Sequence, residues 1–184
     1  MTEPLYVLRH EHRVIEKALR ALDGVGVRLQ CGQHVPAEVL SQLVDFISAF
    51  ACGYHHRKEE TYLFPLLEKQ GVVREGGPLA VISDEHRIES ELTAEMQRAI
   101  NRYRDLDPEA KQLFVVAARR YVNHLIGHIE KEDRILLTLA AEMLDEDAKA
   151  SLKADFGRAE SEFGAAAKKK YEEIASVLER VWAL

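Results

Sequence analysis

Apolar residues recur along this chain at helical spacing and almost never alternate as a half-buried strand requires. Leu5, Leu8, Ile15, Leu19 and Leu22 keep that spacing, predicting a first helix that starts near Pro4 with Thr2 as its cap. Proline is tolerated in a first turn because the amide it lacks would have no partner there. Gly24 and Gly26 are expected to weaken the end of this helix. A second helix is predicted from Pro36, carrying Val39, Leu40, Leu43, Phe46, Ile47 and Phe50, and running toward Pro65, which should end or kink it. The stretch 71–78, GVVREGGP, reads as a loop, and a third helix follows over 79–104. Asp107-Pro108 is a cap-plus-first-turn signal for a fourth helix running to Leu144. Beyond 145, Leu152, Phe156, Phe163, Tyr171, Ile174, Leu178 and Val181 form a further helical stripe, which Gly157 and Gly164 are expected to break.

Short connections between four helices of similar length predict antiparallel neighbours. The expected fold is therefore all-α: an up-down-up-down four-helix bundle over 1–144. An amphipathic C-terminal helical extension over 145–184 is expected to pack on the bundle or to serve as a homodimer interface. At 184 residues the chain can bury a core without disulfide staples. A net charge of −6 argues against a nucleic-acid or acidic-lipid partner, since both need a basic face. No apolar run approaches the roughly 20 residues that span a bilayer, and the N-terminus lacks a signal-peptide pattern. A cytoplasmic location is expected. Cys31 and Cys52 form no zinc spacing and are expected to be free thiols.

The chemistry is written twice. Glu11-His12-Arg13 recurs as Glu85-His86-Arg87, 74 residues on. His55-x-x-Lys58-Glu59-Glu60 recurs as His128-x-x-Lys131-Glu132-Asp133, 73 residues on. His12 and His55 stand 43 residues apart, and His86 and His128 stand 42 apart. This is an internal two-fold repeat, each half giving one lone histidine and one His-x-x-x-Glu. On a helix, positions i and i+4 share a face, so His55 with Glu59, and His128 with Glu132, can each serve one centre. Carboxylates can bridge two metals, and a thiolate-free set of four histidines and two glutamates suits iron or manganese. Carboxylate-rich dinuclear centres are a known use of helical bundles.

The strings EHRVIEKAL, YHHRKEETYLFPLL, DEHRIESEL and HLIGHIEKEDRILL resemble hemerythrin-like domains, the HHE cation-binding family, over roughly residues 5–144. The resemblance implies a non-haem centre of two iron ions, oxo- or hydroxo-bridged, ahead of manganese or zinc. By motif match it implies His12, His55, His86 and His128 as histidine ligands and Glu59 and Glu132 as bridging carboxylates. The oxygen carriers of the family have a histidine four residues after the third-helix histidine; here that position is Ser90. They also use an aspartate five residues after the fourth-helix histidine, a place taken here by Asp133, while the repeat favours Glu132. The missing fifth histidine is expected to leave an open coordination position and to favour redox chemistry over reversible oxygen carriage.

Glu60 and Asp133 should point away from the metals, as solvated acids or as partners of the ligands. His56 could pair with Glu60 in an alternative register. His124, one turn before His128, is a candidate for lining the pocket. Lys58 and Lys131 are expected to be solvated or paired with nearby carboxylates. His10, His34, Glu160 and Glu162 are expected at the surface, and Tyr54 and Tyr62 as packing residues. Three functions remain open: binding or sensing of dioxygen, nitric oxide or peroxide; a peroxide-consuming di-iron oxidoreductase; and an iron-handling or iron-delivery protein. The expected partner is a small diatomic ligand or peroxide.

Overall fold

The computed structural model describes residues 4–104, 107 and 109–184, which form helices joined by turns and short loops, with no strand among them. Helix α1 (Pro4–Gln30) buries Leu8, Ile15, Leu19, Leu22, Val25 and Leu29 at the predicted spacing. The helix continues past Gly24 and Gly26. The terminator is Gly32, at φ 78°, a left-handed conformation that favours glycine. Around it the Gln33 amide donates to the Arg28 carbonyl (2.9 Å) and the Gly32 amide to the Leu29 carbonyl (3.1 Å), so two carbonyls of the last turn are satisfied.

Helix α2 (Ala37–Phe46) follows Pro36 and continues into a π-helical stretch, Ile47–His56. A second π-helical stretch, Glu59–Leu63, leads into α3 (Phe64–Lys69). Pro65 therefore does not end the helical run. It lies in the first turn of α3, where a missing amide is tolerated. After the predicted loop comes α4 (Pro78–Arg104), then α5 (Ala110–Lys131), a third π-helical stretch (Glu132–Leu136) and α6 (Leu137–Met143). Asp107 caps the approach to α5 by accepting a 2.9 Å bond from the Glu109 amide. Thr2 and Pro108 lie outside the described residues. Two of the π-helical stretches begin at the glutamates of the repeated motif, Glu59 and Glu132. In π-helix each amide reaches five residues back, which widens the turn, and such bulges gather at functional sites.

Helix α7 (Glu146–Phe163) starts at Asp145, whose side chain accepts from the Ala148 amide at 2.8 Å. Gly164, at φ 93°, separates it from α8 (Ala165–Trp182), whereas Gly157 lies inside α7 and breaks nothing. Helix α8 packs along α1 and touches α2. Lys17 donates to Ser176 (3.1 Å), Arg20 to Glu179 (2.7 Å) and Tyr171 to Asp45 (3.0 Å). Arg28 donates to the Trp182 carbonyl and stacks its guanidinium over the indole at 5.3 Å. Gly24 is the point of closest approach: a Cβ there would collide with the Trp182 carbonyl oxygen. None of the described helices is long and apolar enough to cross a membrane.

The core is divided. One apolar cluster gathers Leu22, Leu40, Phe46, Phe50, Ile100, Phe114, Tyr121 and their neighbours. The other gathers Leu8, Leu63, Phe64, Leu67, Ile82, Leu136, Leu152 and Phe156. Each fully buried Leu or Phe contributes roughly 1.5–3 kcal/mol. Along every long helical run the residues between the two clusters are polar and buried: Glu11 and His12; His55, His56, Lys58 and Glu59; Glu85, His86 and Glu89; His128 and Glu132.

The glycines of α1 generate a paired prediction. Gly24→Ala should destabilise the protein by about 1–3 kcal/mol, because the new methyl meets backbone that cannot step aside. Gly26→Ala, with open space around the built Cβ, should stabilise by about 0.5–1 kcal/mol through helix propensity alone. Denaturant unfolding of both variants measures the difference, and equal effects would discount the α1–α8 approach.

Candidate metal centre

Two sets of ligating atoms meet in the polar layer. His12, His55, Glu59 and Glu132 bring one atom each within 4.8 Å of one another, and so do His56, His86 and His128. The two glutamates stand between the sets. Glu59 is 3.8 Å from His55 Nε2 and 3.6 Å from His86 Nε2. Glu132 is 3.1 Å from His12 Nε2, 3.2 Å from His128 Nε2 and 3.5 Å from His86 Nε2. The structure thus brings together all six residues carrying the repeated pattern.

Nε2 of His12, His55, His86 and His128, and both oxygens of Glu59 and Glu132, are buried with no hydrogen-bond partner. Buried polar atoms are almost always bonded, and eight such atoms converging on one place fit a cation-binding centre. The charges point the same way. Glu59 is pushed well above the usual carboxylate range by burial and then by the facing Glu132. Burial also works on Glu132, but His128, His12 and His86 around it outweigh that and hold it low. Two carboxylates so placed repel each other, and cations between them would relieve the repulsion.

The outward nitrogen of each histidine is tied down in a two-fold pattern. His55 Nδ1 bonds Glu11 (2.9 Å) and His128 Nδ1 bonds Glu85 (3.0 Å). His12 Nδ1 bonds Asp133 (2.8 Å) and His86 Nδ1 bonds Glu60 (2.8 Å). A carboxylate accepting from Nδ1–H fixes the tautomer, so Nε2 presents its lone pair inward, and it fixes the ring orientation. Lys58 donates to Glu11, and Lys131 to Glu85. Burial opposes ionisation of Glu85, but bonds from His128 and Lys131 bring it down to about 2. Asp133 and Glu60 are thus partners of His12 and His86 rather than free acids, and Glu60 pairs with His86, not His56. The sequence carried a signal for Glu11 and Glu85 that was passed over: a glutamate precedes the lone histidine in both copies.

The two halves are not equivalent. His56, the candidate for an alternative register with Glu60, instead stacks on His86 (centroids 4.0 Å apart) and meets the edge of His128 at 5.4 Å. The π-helical turn ending at His56 changes the register that an α-helix would impose. Ser90 bonds the His86 carbonyl at 3.0 Å, so the histidine expected and not found after His86 is matched by an imidazole from a different helix. Glu89, not singled out in the sequence, is buried beside His56. His124 turns toward Glu89, its Nε2 3.6 Å from the carboxylate.

The halves also differ in cover. Lys58 is 1% exposed, with Nζ over the Tyr54 ring (4.3 Å) and the Phe156 ring of α7 (4.8 Å); Lys131, its counterpart, is 41% exposed. On the opposite side a cleft of about 440 Å³ reaches His56 and His86, past Cys52, Glu60, Arg74 and Ser90.

The remaining expected residues lie outside the ligand sets. The Tyr54 ring stacks on Phe163 at 4.5 Å and Tyr62 packs near Phe156. His10 and His34 are exposed. Glu160 pairs with Lys168 at 2.9 Å, while Glu162 borders a small cleft beside Tyr54. Cys31 and Cys52 are both free. Burial, then the Glu89 charge, pushes the Cys52 thiol up to about 12, so it stays protonated.

Two uncharacterized proteins, one from Mycobacterium tuberculosis (strain ATCC 25618 / H37Rv) and one from Mycobacterium bovis (strain ATCC BAA-935 / AF2122/97), are each 26% identical to this chain over 129 residues. The match covers 70% of this chain and 50% of each relative, so the chain spans about half the length of the curated relatives it matches. No solved structure gave a significant match. The family profile described as the hemerythrin HHE cation binding domain matches residues 3–140, which include all six residues of the repeated pattern. With a cation-binding arrangement at the heart of the matched region, the chain belongs to the hemerythrin HHE cation-binding family.

Proposed function

We propose that this chain is a dinuclear non-haem iron protein that reacts with a small oxidant or diatomic ligand, namely dioxygen, peroxide or nitric oxide, at the His56–His86 edge of the centre. The observation that carries the reading is the convergence of eight buried, unpartnered nitrogen and oxygen atoms between two apolar clusters. The alternation of the four long helical runs up and down around that layer, with the two motif copies facing each other, belongs to the same proposal. Imidazole and carboxylate oxygen together suit iron. Two iron ions held there supply exchangeable electrons and Lewis-acid positions for small oxygen or nitrogen ligands.

The protein's own part is positional. Glu59 and Glu132 lie between the two histidine sets, where a carboxylate can contact a cation on either side. Glu11, Glu85, Asp133 and Glu60 hold the four imidazoles in the tautomer that leaves Nε2 free. The apolar clusters above and below keep water out of the layer, which strengthens every electrostatic interaction within it. Phe156 and Lys58 close the first half, so a reactant approaches from the His56–His86 side. That one-sided access favours reaction with a small solute over release of the metal, because most of the ligand layer is enclosed.

Three outcomes test the proposal. Anaerobic loading should give close to two iron atoms per chain, the stoichiometry of a dinuclear centre. His55→Ala and His128→Ala should each bind less, and His10→Ala should bind as much as wild type. A stable one-zinc protein that takes up no iron would sink the reading. Optical spectra of the reduced protein should change rapidly on adding air or peroxide; an adduct that forms and releases oxygen reversibly over hours would point to carriage instead.

Substitutions of the carboxylates should rank by position. Glu59→Ala and Glu132→Ala should abolish paired binding. Asp133→Asn and Glu60→Gln should weaken metal affinity by ~10–100-fold while leaving the stoichiometry reachable at higher metal concentration. Equilibrium dialysis separates the two classes, and the reverse ranking would shift the ligands to the neighbouring acids.

Iron loading should also raise the melting temperature. At free metal one hundredfold above Kd, the gain is about 2.7 kcal/mol, readable by calorimetry. No shift on loading would mean that the folded state does not bind metal preferentially.

A further inference from the structure

The repeat shows which polar groups the fold does not require. The counterpart of Glu89 in the first half is Ile15, and the counterpart of His124 is Ala51. The counterpart of His56, in the second half, is Ile129. All three counterparts are buried apolar residues of the larger core cluster. The bundle can therefore place Ile or Ala at these positions, yet here it carries a carboxylate and two imidazoles. Burying such groups costs free energy unless they are partnered.

They are close without being partnered. Glu89 is 0% exposed, and neither of its carboxylate oxygens has a hydrogen-bond partner. His124 Nε2 is likewise buried and unbonded. Glu89 Oε1 lies 3.6 Å from His124 Nε2, and Glu89 Oε2 lies 3.4 Å from His56 Nε2. These gaps exceed those of ordinary hydrogen bonds. They match the 3.1–3.8 Å separations among the orphaned atoms of the centre itself. Ligand atoms that share a metal at about 2.0–2.2 Å sit at such separations from one another. Thr93, next in line, is occupied elsewhere: its hydroxyl bonds the Glu89 carbonyl at 2.7 Å.

We infer that Glu89 and His124, with His56 at the inner end, form a third position for a divalent transition-metal cation, from which the buried centre is loaded. The mixed carboxylate and imidazole donors suit ferrous iron, manganese, cobalt or zinc. The position runs inward. The His124 side chain is 23% exposed, Glu89 is fully buried, and His56 stacks directly on His86 of the centre. Glu89 Oε1 is also 3.7 Å from His128 Nδ1, so a cation taken up at His124 and Glu89 lies directly beside the centre. The first half has Ile15 and Ala51 at these places and is covered by α7, so the approach exists on one side only. The inference rests on the reading of the layer as a dinuclear metal centre.

The test is equilibrium dialysis of the full chain against cobalt(II) under anaerobic conditions, with stopped-flow spectra of cobalt uptake. The wild type should bind a third, weaker cation beyond the pair, one that a mild chelator strips first. Glu89→Ile and His124→Ala, which install the residues of the other half, should bind only the pair. They should also take it up at least tenfold more slowly, with the same final spectrum for the pair. His124 is partly exposed, so His124→Ala keeps the test valid if Glu89→Ile fails to fold. Two cations in the wild type and in His124→Ala, taken up at equal rates, would overturn the inference while leaving the dinuclear centre standing. Loss of one of the tight pair in Glu89→Ile would overturn it as well, making Glu89 a ligand of the centre. No cobalt bound by any form would instead strike the dinuclear reading itself.

Discussion

The constraint on which the structure turns is a layer of buried imidazoles and carboxylates set across the middle of an apolar core. Taking an ion out of water costs several kcal/mol even after relaxation, and this layer buries Glu59, Glu132, Glu11 and Glu89 at 0% exposure. Two ways of offsetting that cost are visible. Outer atoms pair within the protein, as Glu11 does with His55 and Lys58. Inner atoms pair with nothing and face one another. A chain that left these inner atoms without cations would hold two mutually repelling carboxylates in a dry space, which is why stability and metal occupancy are one question here.

The near-symmetry of the layer follows from the repeat, and its asymmetry has two sources. Both copies supply Glu, His, Lys, Glu and a further acid at matched positions, and the four Nδ1 bonds repeat across the pseudo-two-fold. Three substitutions break the match, placing Glu89, His124 and His56 where the other copy has Ile15, Ala51 and Ile129. Of these, His56 lines the cleft that reaches the centre. The second source of asymmetry is the C-terminal pair of helices. Helix α8 lies on α1, with Gly24 allowing the Trp182 backbone to approach, and α7 lays Phe156 over Lys58. The C-terminal pair therefore works as a one-sided cover, and it decides which histidines face outward.

The helical class, the repeat and the paired His-x-x-x-Glu motifs are legible along the chain, because they depend on spacing within it. Helical periodicity placed α1, α4 and the His-x-x-x-Glu pairs, and i to i+4 geometry put His55 with Glu59 and His128 with Glu132 whatever the rest of the chain did. Local signals misled where a neighbour decided the matter. Gly24 read as a weak point near the helix end, but its lack of a side chain serves the approach of α8, 158 residues further along at Trp182. Pro65 read as a stop, yet it falls in the first turn of α3 after a π-helical stretch.

Which acid meets which imidazole is set by packing. Asp133 reaches back to His12 and Glu11 reaches forward to His55, partnerships set by how helices lie against one another rather than by spacing along either one. His56 offered an alternative register with Glu60; the wider π turn and the packing of the second helical run against α4 set it on His86 instead. Glu89 had no repeat signal at all, since its counterpart is an isoleucine, and its place among three imidazoles became visible only once α4, α5 and the π-helical stretch were assembled. A side chain's face on its own helix is a local property. The identity of what that face meets is a property of the packed whole.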